Sequence, residues 1–369
     1  MITRFFTFYL LIFSLISGNT NAQFHNVRMP QASPEVKITH QLGISDISII
    51  YSSPAVRGRD IWNGVIPFEG KPLPWRAGAN MNTRIQFSTD VIINDIPFKA
   101  GSYGFHVIPH KEGKWELLFA NNDNLWGSYY LDMDKDIAAR LAVEPVESVF
   151  RETLIYDFED RTDSTLVVAL KWADKSIPFT VKVDLNKTVL EHFRYQLRGL
   201  ETYRWEAWND AASWCARREI NLEEALSWAD RSINGGYGGF AANKNMTNLG
   251  TKIHILTLMD REAEADLLVE EAKTMIDDAY NAYSFGEMWL RKSDYQRAVN
   301  WYAAAANAFD ENQGWYVHVR YAISLYMNEE KGKAISVLKN MKAKVTGNQA
   351  KNTIASLIPA MESGTFQLR

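Results

Sequence analysis

The sequence predicts an α+β multidomain chain, an N-terminal antiparallel β-sandwich joined to a C-terminal all-α array of helical repeats. Three observations carry this. Up to about residue 185 the apolar residues recur with period two, with turn residues every ten or so positions. Beyond it the period becomes helical, and proline all but disappears between residues 179 and 358. The helical part also repeats itself at intervals of 40, 33 and 36 residues.

The first 22 residues stand apart from both parts. Arg4 gives a basic start, Phe5 to Ile16 is apolar, and a small polar stretch leads to Ala22 before Gln23. This is the form of a secretory signal cleaved after Ala22. The apolar run falls short of the roughly 20 residues that span a bilayer, so the expected mature chain has no membrane span. An uncleaved anchor is the alternative. The expected location is periplasmic or secreted, with residues 23–185 forming the β-sandwich domain and 186–369 the helical repeats. A net charge of −4 with no basic stripe argues against a nucleic-acid partner. The one cysteine, Cys215, has no intrachain partner, so the fold must stand on packing alone. Twelve tryptophans in an expected exported protein point mildly to sugars, peptides or other partners.

In the first part, residues 36–53 alternate around a turn at Gly43 to Asp46. Residues 83–121 read as a meander with turns at Ser88 to Asp90, Asn94-Asp95, Lys99 to Gly101 and His110 to Gly113. A short helix is expected at Lys135 to Leu141. Residues 146–184 give three more strands, split at 159–164 and again at Ala173 to Ser176. Eight or nine short strands of this kind signal a sandwich or barrel.

In the second part, Ala225, Ala265, Ala298 and Ala334 align as anchors. Four residues on stand Ala229, Val269, Tyr302 and Leu338; three more on stand Ser232, Ala272, Ala305 and Met341. Nine residues before the anchors stand Ala216, Leu256, Trp289 and Leu325. Each unit is thus a helical hairpin with small residues at a close crossing. The unit with Phe285, Gly286, Trp289, Ala298, Tyr302 and Ala305 resembles a tetratricopeptide repeat, with Asp310 departing from its final proline-type position. Such repeats stack into a curved array whose concave face can hold a protein or peptide partner. The tail from Asn352 is expected to cap it.

Candidate chemistry gathers in two stretches, YSSPAVRGRDIWNG (51–64) and LPWRAGANMNTRI (73–85). They collect Tyr51, Arg57, Arg59, Asp60, Trp62, Trp75, Arg76 and Asn80. Arginine forks grip carboxylates or phosphates, and tryptophan faces stack on sugars or cations. Gly78 between two alanines allows close backbone approach. The alternative is a structural loop in which Trp75 is core, Arg76 pairs with an acid and Asn80 caps the turn.

The same residues carry a resemblance. Tyr51, Ser52, Pro54, Gly58, Arg59, then Trp75, Arg76, Gly78, Ala79 and Asn80, then Ala100 to Tyr103 and Trp126-Gly127 resemble the motifs of a secreted bacterial family, domain of unknown function 2911. Ser102 replaces the usual threonine. The resemblance covers roughly residues 30–184 and implies the fold of the domain without implying an activity.

Other motifs are weaker. His106 and His110 on a straight strand would stand about 13 Å apart, too far to share a zinc ion; surface histidines near a turn are expected. Asp132, Asp134 and Asp136 begin like a calcium loop, but Ile137 and Val143 occupy its glycine and glutamate positions. No metal site and no cofactor is expected. No nucleophile elbow, phosphate loop or dinucleotide fingerprint is present in the sequence. The favoured reading is a non-catalytic binding or scaffolding protein, the helices gripping a protein or peptide and the sandwich loops a small polar ligand. The rival is an envelope-acting hydrolase or other enzyme using Arg59, Asp60, Arg76 and Asn80 with an unrecognised acid. A third reading has the two domains bracing one another.

Overall fold

The computed structural model of the protein describes residues 30–275, 279–309, 312 and 314–368. The expected signal segment and Asp310 lie outside the described residues. The chain divides into two compact units between Val189 and Leu190.

The first unit is two antiparallel sheets. The larger has the order β1-β2-β3-β6-β7-β8 and the smaller β5-β4-β10-β9. The strands are β1 Glu35–Leu42, β2 Ser45–Ser52, β3 Thr83–Phe87, β4 Val91–Ile93, β5 Ile96–Phe98, β6 Gly101–Ile108, β7 Trp115–Ala120, β8 Ile137–Val143, β9 Val146–Glu159 and β10 Thr165–Lys182. Period-two alternation sends Ile47, Ile49 and Tyr51 of β2 and Ile85 and Phe87 of β3 into one core with Leu166, Val168, Leu170 and Trp172 of β10. Rings from opposite sheets meet there: Phe105 lies 5.7 Å from Phe179, and Tyr51 4.7 Å from Tyr156. The turn at Asn94-Asp95 has φ of 44° and 70°. These are the left-handed conformations that Asn and Asp tolerate, and they close a two-residue hairpin between β4 and β5.

Two local expectations are corrected. Residues 135–141 are not helical: β8 runs Ile137–Val143 and pairs with β7. Ile137, Ala139, Leu141 and Val143 alternate with exposed residues, and the open edge of β7 supplies the partner that overrides the helix-forming Ala and Arg. The Asp cluster ahead of it closes a turn on itself, since Asp132 Oδ1 accepts the backbone N–H groups of Asp134 and Lys135. The second correction is at Ala173–Ser176, which does not break the chain into two strands. β10 continues to Lys182 through a bulge at Ala173, whose φ is 49°.

The second unit holds ten α-helices among the described residues once the boundary helix is included. They are α1 Leu185–Gln196, α2 Trp205–Arg218, α3 Leu222–Asn234, α4 Met246–Leu258, α5 Glu262–Thr274, α6 Ala279–Arg291, α7 Tyr295–Ala308, α8 Trp315–Met327, α9 Lys331–Lys344 and α10 Asn348–Glu362. The four anchor alanines each occupy the fourth position of α3, α5, α7 and α9 and are at most 1% exposed. Ala216, Leu256, Trp289 and Leu325 are buried on the preceding helices α2, α4, α6 and α8. The recurrence is therefore one of packing. Small residues let each pair cross closely, and neighbouring hairpins bury their apolar faces in two clusters, one from Leu197 to Val317 and one around the last hairpin and the tail. The tail helix α10 buries Ile354, Ile358 and Met361 against the last hairpin. Cys215 on α2 is fully buried, and burial pushes its thiol up to about 11.

Glycine makes room for an aromatic ring between α4 and α6. A Cβ on Gly250 of α4 would sit 1.9 Å from the ring of Phe285 on α6. Gly250→Ala is expected to cost about 1–3 kcal/mol by overpacking. The check is denaturant unfolding, with Phe285→Leu restoring part of the loss.

Candidate functional site

The stretch 73–82 is a loop nailed down from several sides. Trp75 exchanges two backbone hydrogen bonds with Val107 of β6, at 2.8 and 2.7 Å. Its indole N–H donates to the carbonyl of Gly78 at 3.1 Å. The Ala77 carbonyl accepts from Thr83 Oγ1 and from the Tyr156 hydroxyl, both at 2.9 Å. The Asn80 amide donates to Ser33 O and Ser52 Oγ. Gly78 is required here by crowding, since a Cβ would meet Thr83 Oγ1 at 2.9 Å and the Ser52 carbonyl at 3.1 Å.

Trp75 is 7% exposed and belongs to a group of four indoles. Its ring stacks 5.7 Å from Trp172, and Trp62 lies within 6.2 Å of Trp75, Trp115 and Trp172. Trp115 donates to the His110 carbonyl and Trp62 to Asp174 Oδ1. Burying these rings anchors the 51–64 and 73–82 stretches on the strands beneath.

Arg76, next along, points the other way. One of its N–H groups donates to the carbonyl of Asn80. Its guanidinium lies 5.6 Å from the ring centre of Tyr129. It also packs on Gly127: a Cβ there would stand 2.6 Å from Arg76 Cζ, and Gly127 has φ of 67°. This gives the Trp126-Gly127 motif its physical reason. The β7–β8 loop is tied to the first loop by Asn82, whose side-chain oxygen takes the Leu125 N–H at 2.9 Å and whose own N–H donates to Leu125 O at 3.0 Å.

Together these loops line an open cleft of about 430 Å³. Arg59, Trp75, Arg76 and Asn80 are brought to it, with Gly78, Ser33, Ser128, Tyr129 and Trp172. An adjoining hollow of about 350 Å³ shares Ser33 and Arg59 and adds Arg57. Arg59 donates to the carbonyls of Val56 and Ala55, and Arg57 through its guanidinium to that of Ala32. Among the described residues, no carboxylate pairs with the guanidinium of Arg57, Arg59 or Arg76. Asp60 is exposed and outside the cleft lining. Tyr51 is 4% exposed, packed on Tyr156, its hydroxyl accepting the Tyr156 N–H. It shapes the core under the loop and does not reach the cleft. Ser128, Tyr129 and Trp172 escaped the sequence reading; only the Trp126-Gly127 motif pointed toward two of them.

His106 departs from the surface position expected for it. It is fully buried on β6, with Nδ1 2.8 Å from Ser128 Oγ and Nε2 without a hydrogen-bond partner. Burial, reinforced by the Arg76 charge, lowers its pKa to about 4. His110 behaves differently, its ring held between Glu69 and Glu116, and the Glu69 hydrogen bond raises its pKa. The Ser128–His106 contact is a poor nucleophile pair. The imidazole is a weak base and no carboxylate orients its second nitrogen.

Two outcomes are expected. Because the folded pKa of His106 lies below the unfolded value, its neutral form contributes full stability above about pH 6.5, and the contribution is lost as pH falls toward 4. Between pH 7.5 and 4.5 the wild type should lose about 2–3 kcal/mol more than His106→Gln in matched denaturant titrations. Gly127→Ala should cost about 1–3 kcal/mol through left-handed strain and displacement of Arg76; an unchanged melting temperature would contradict the contact.

Among the described residues no helix is long and apolar enough to cross a membrane. No curated protein matches the chain. Residues 33–181 match the model of the family described as "Protein of unknown function (DUF2911)", and the β domain that builds this cleft belongs to that family.

Proposed function

We propose that the protein is an exported binding protein. The β-domain cleft takes a small polar ligand through an anionic group, and the helical array takes a protein or peptide segment. The observation that carries this is the convergence of Arg59, Trp75, Arg76 and Asn80 on one open cleft whose guanidinium groups face no carboxylate. A guanidinium offers five donors in a fixed fork, and most of those on Arg76 remain for a ligand. The loop is at once scaffold and lining, because Trp75 secures it and the next residue is thereby displayed.

The helical part supports its own half of the proposal. Ser213 of α2, Thr247, Gly250, Thr251 and His254 of α4, and Ser284 of α6 line a groove of about 310 Å³. These are the first helices of successive hairpins, and small or hydroxyl side chains there leave room for an extended chain. Export rests on the character of residues 1–22. The hydrolase reading needs an acid beside the arginines, and the residues lining the cleft include no Asp or Glu.

A thermal-shift screen against sugars, peptides, nucleotides and divalent metals, with Arg76→Gln alongside, tests the cleft. A ligand present at a hundred times its Kd should add about 2.7 kcal/mol. The gain should vanish in a folded Arg76→Gln protein. Ligands that stabilise both proteins equally, or none that stabilise either, would refute the cleft reading.

A further inference from the structure

We infer that the ligand of this cleft is an acidic saccharide, a sugar ring carrying a carboxylate; this rests on the binding reading above. The β7–β8 loop places three large aromatic side chains within five residues at solvent. Trp126 is 57% exposed, Tyr129 61% and Tyr130 78%. Isolated exposed aromatics are ordinary, but such a cluster beside a concave site marks a contact surface. Tyr129 both lines the cleft and lies on the Arg76 guanidinium, so an aromatic face and a cationic fork stand side by side.

That pairing selects chemistry. Pyranose rings present C–H faces that pack on aromatic rings, while their hydroxyls need short polar partners. Ser33 and Asn80 at the same cleft are partners of that size. Arg76 fits the bidentate geometry of a carboxylate. The aromatic loop is fixed beside that fork, because the Asn82 hydrogen bonds hold Leu125 and Gly127 brings the chain against Arg76. The adjoining hollow with Arg57 and Arg59 gives room for a second acidic residue of the same glycan. A bare phosphate would use the arginines and have no need of the tyrosine.

The test is titration calorimetry of the whole chain. The probes are uronic and ulosonic acid saccharides, their neutral counterparts of equal length, and pyrophosphate. At least one acidic saccharide should bind about tenfold or more tightly than its neutral counterpart. Arg76→Gln and Tyr129→Ala should each weaken it about tenfold or more, and Tyr129→Phe should restore it. Tyr129 is exposed enough for these variants to fold. Equal binding of the neutral sugar, pyrophosphate binding indifferent to Tyr129→Ala, or no binding by any acidic saccharide would overturn the inference. An Arg76-dependent ligand of another class in the thermal screen would sink the saccharide and leave the binding reading standing; no Arg76-dependent ligand at all would sink both.

Discussion

The burial of Trp75 is the constraint on which the candidate site depends. Its indole stacks on Trp172 of one sheet while its backbone pairs with β6 of the other. That clamp joins the two sheets of the β domain at one residue. Everything after it in the loop is placed by consequence. Ala77 is held by the Tyr156 hydroxyl, Asn80 turns back toward Ser33, and Arg76 is left facing outward. A half-buried cation is then presented without an acid to neutralise it, at no further structural expense beyond a glycine at position 127.

Two opposite demands meet in this arrangement. The core side asks for rings and closed hydrogen bonds, and the loop supplies them almost completely. The cleft side shows the reverse, with guanidinium donors that backbone carbonyls satisfy only in part. Rigidity underneath and unsatisfied donors above are the features that let a site bind without reorganising. In the helical unit alanines occupy the crossings, and Ser213, Thr247, Thr251 and Ser284 stand in the groove with His254, Phe285 and Met288.

Much of this was legible in the residues, because local chemistry decided it. Asn94-Asp95 announced a hairpin, and the four anchor alanines announced four crossings. Arg59, Trp75, Arg76 and Asn80 could be grouped from two neighbouring stretches. What was not legible depended on distant partners. Residues 135–141 read as helix until the edge of β7 claimed Ile137 to Val143 as a strand. Ala173 read as a turn because a bulge and a turn share the same left-handed residue. His106 looked like a surface histidine since only the completed sheet and the β7–β8 loop cover it. Tyr51 shares a motif with cleft residues yet serves the core, because alternation along β2 points it inward. Ser128 and Tyr129 reach the cleft through a loop some fifty residues downstream, and no spacing rule connects them to Arg76.

The buried thiol of Cys215 has a practical consequence. With its pKa pushed up to about 11 and no solvent exposure, it carries almost no thiolate at neutral pH. The folded molecule is therefore chemically silent toward maleimides and disulfide exchange. A single reporter thiol introduced at the exposed Tyr130 would be the one reactive handle, placing a fluorophore or spin label beside the cleft without first removing the native cysteine.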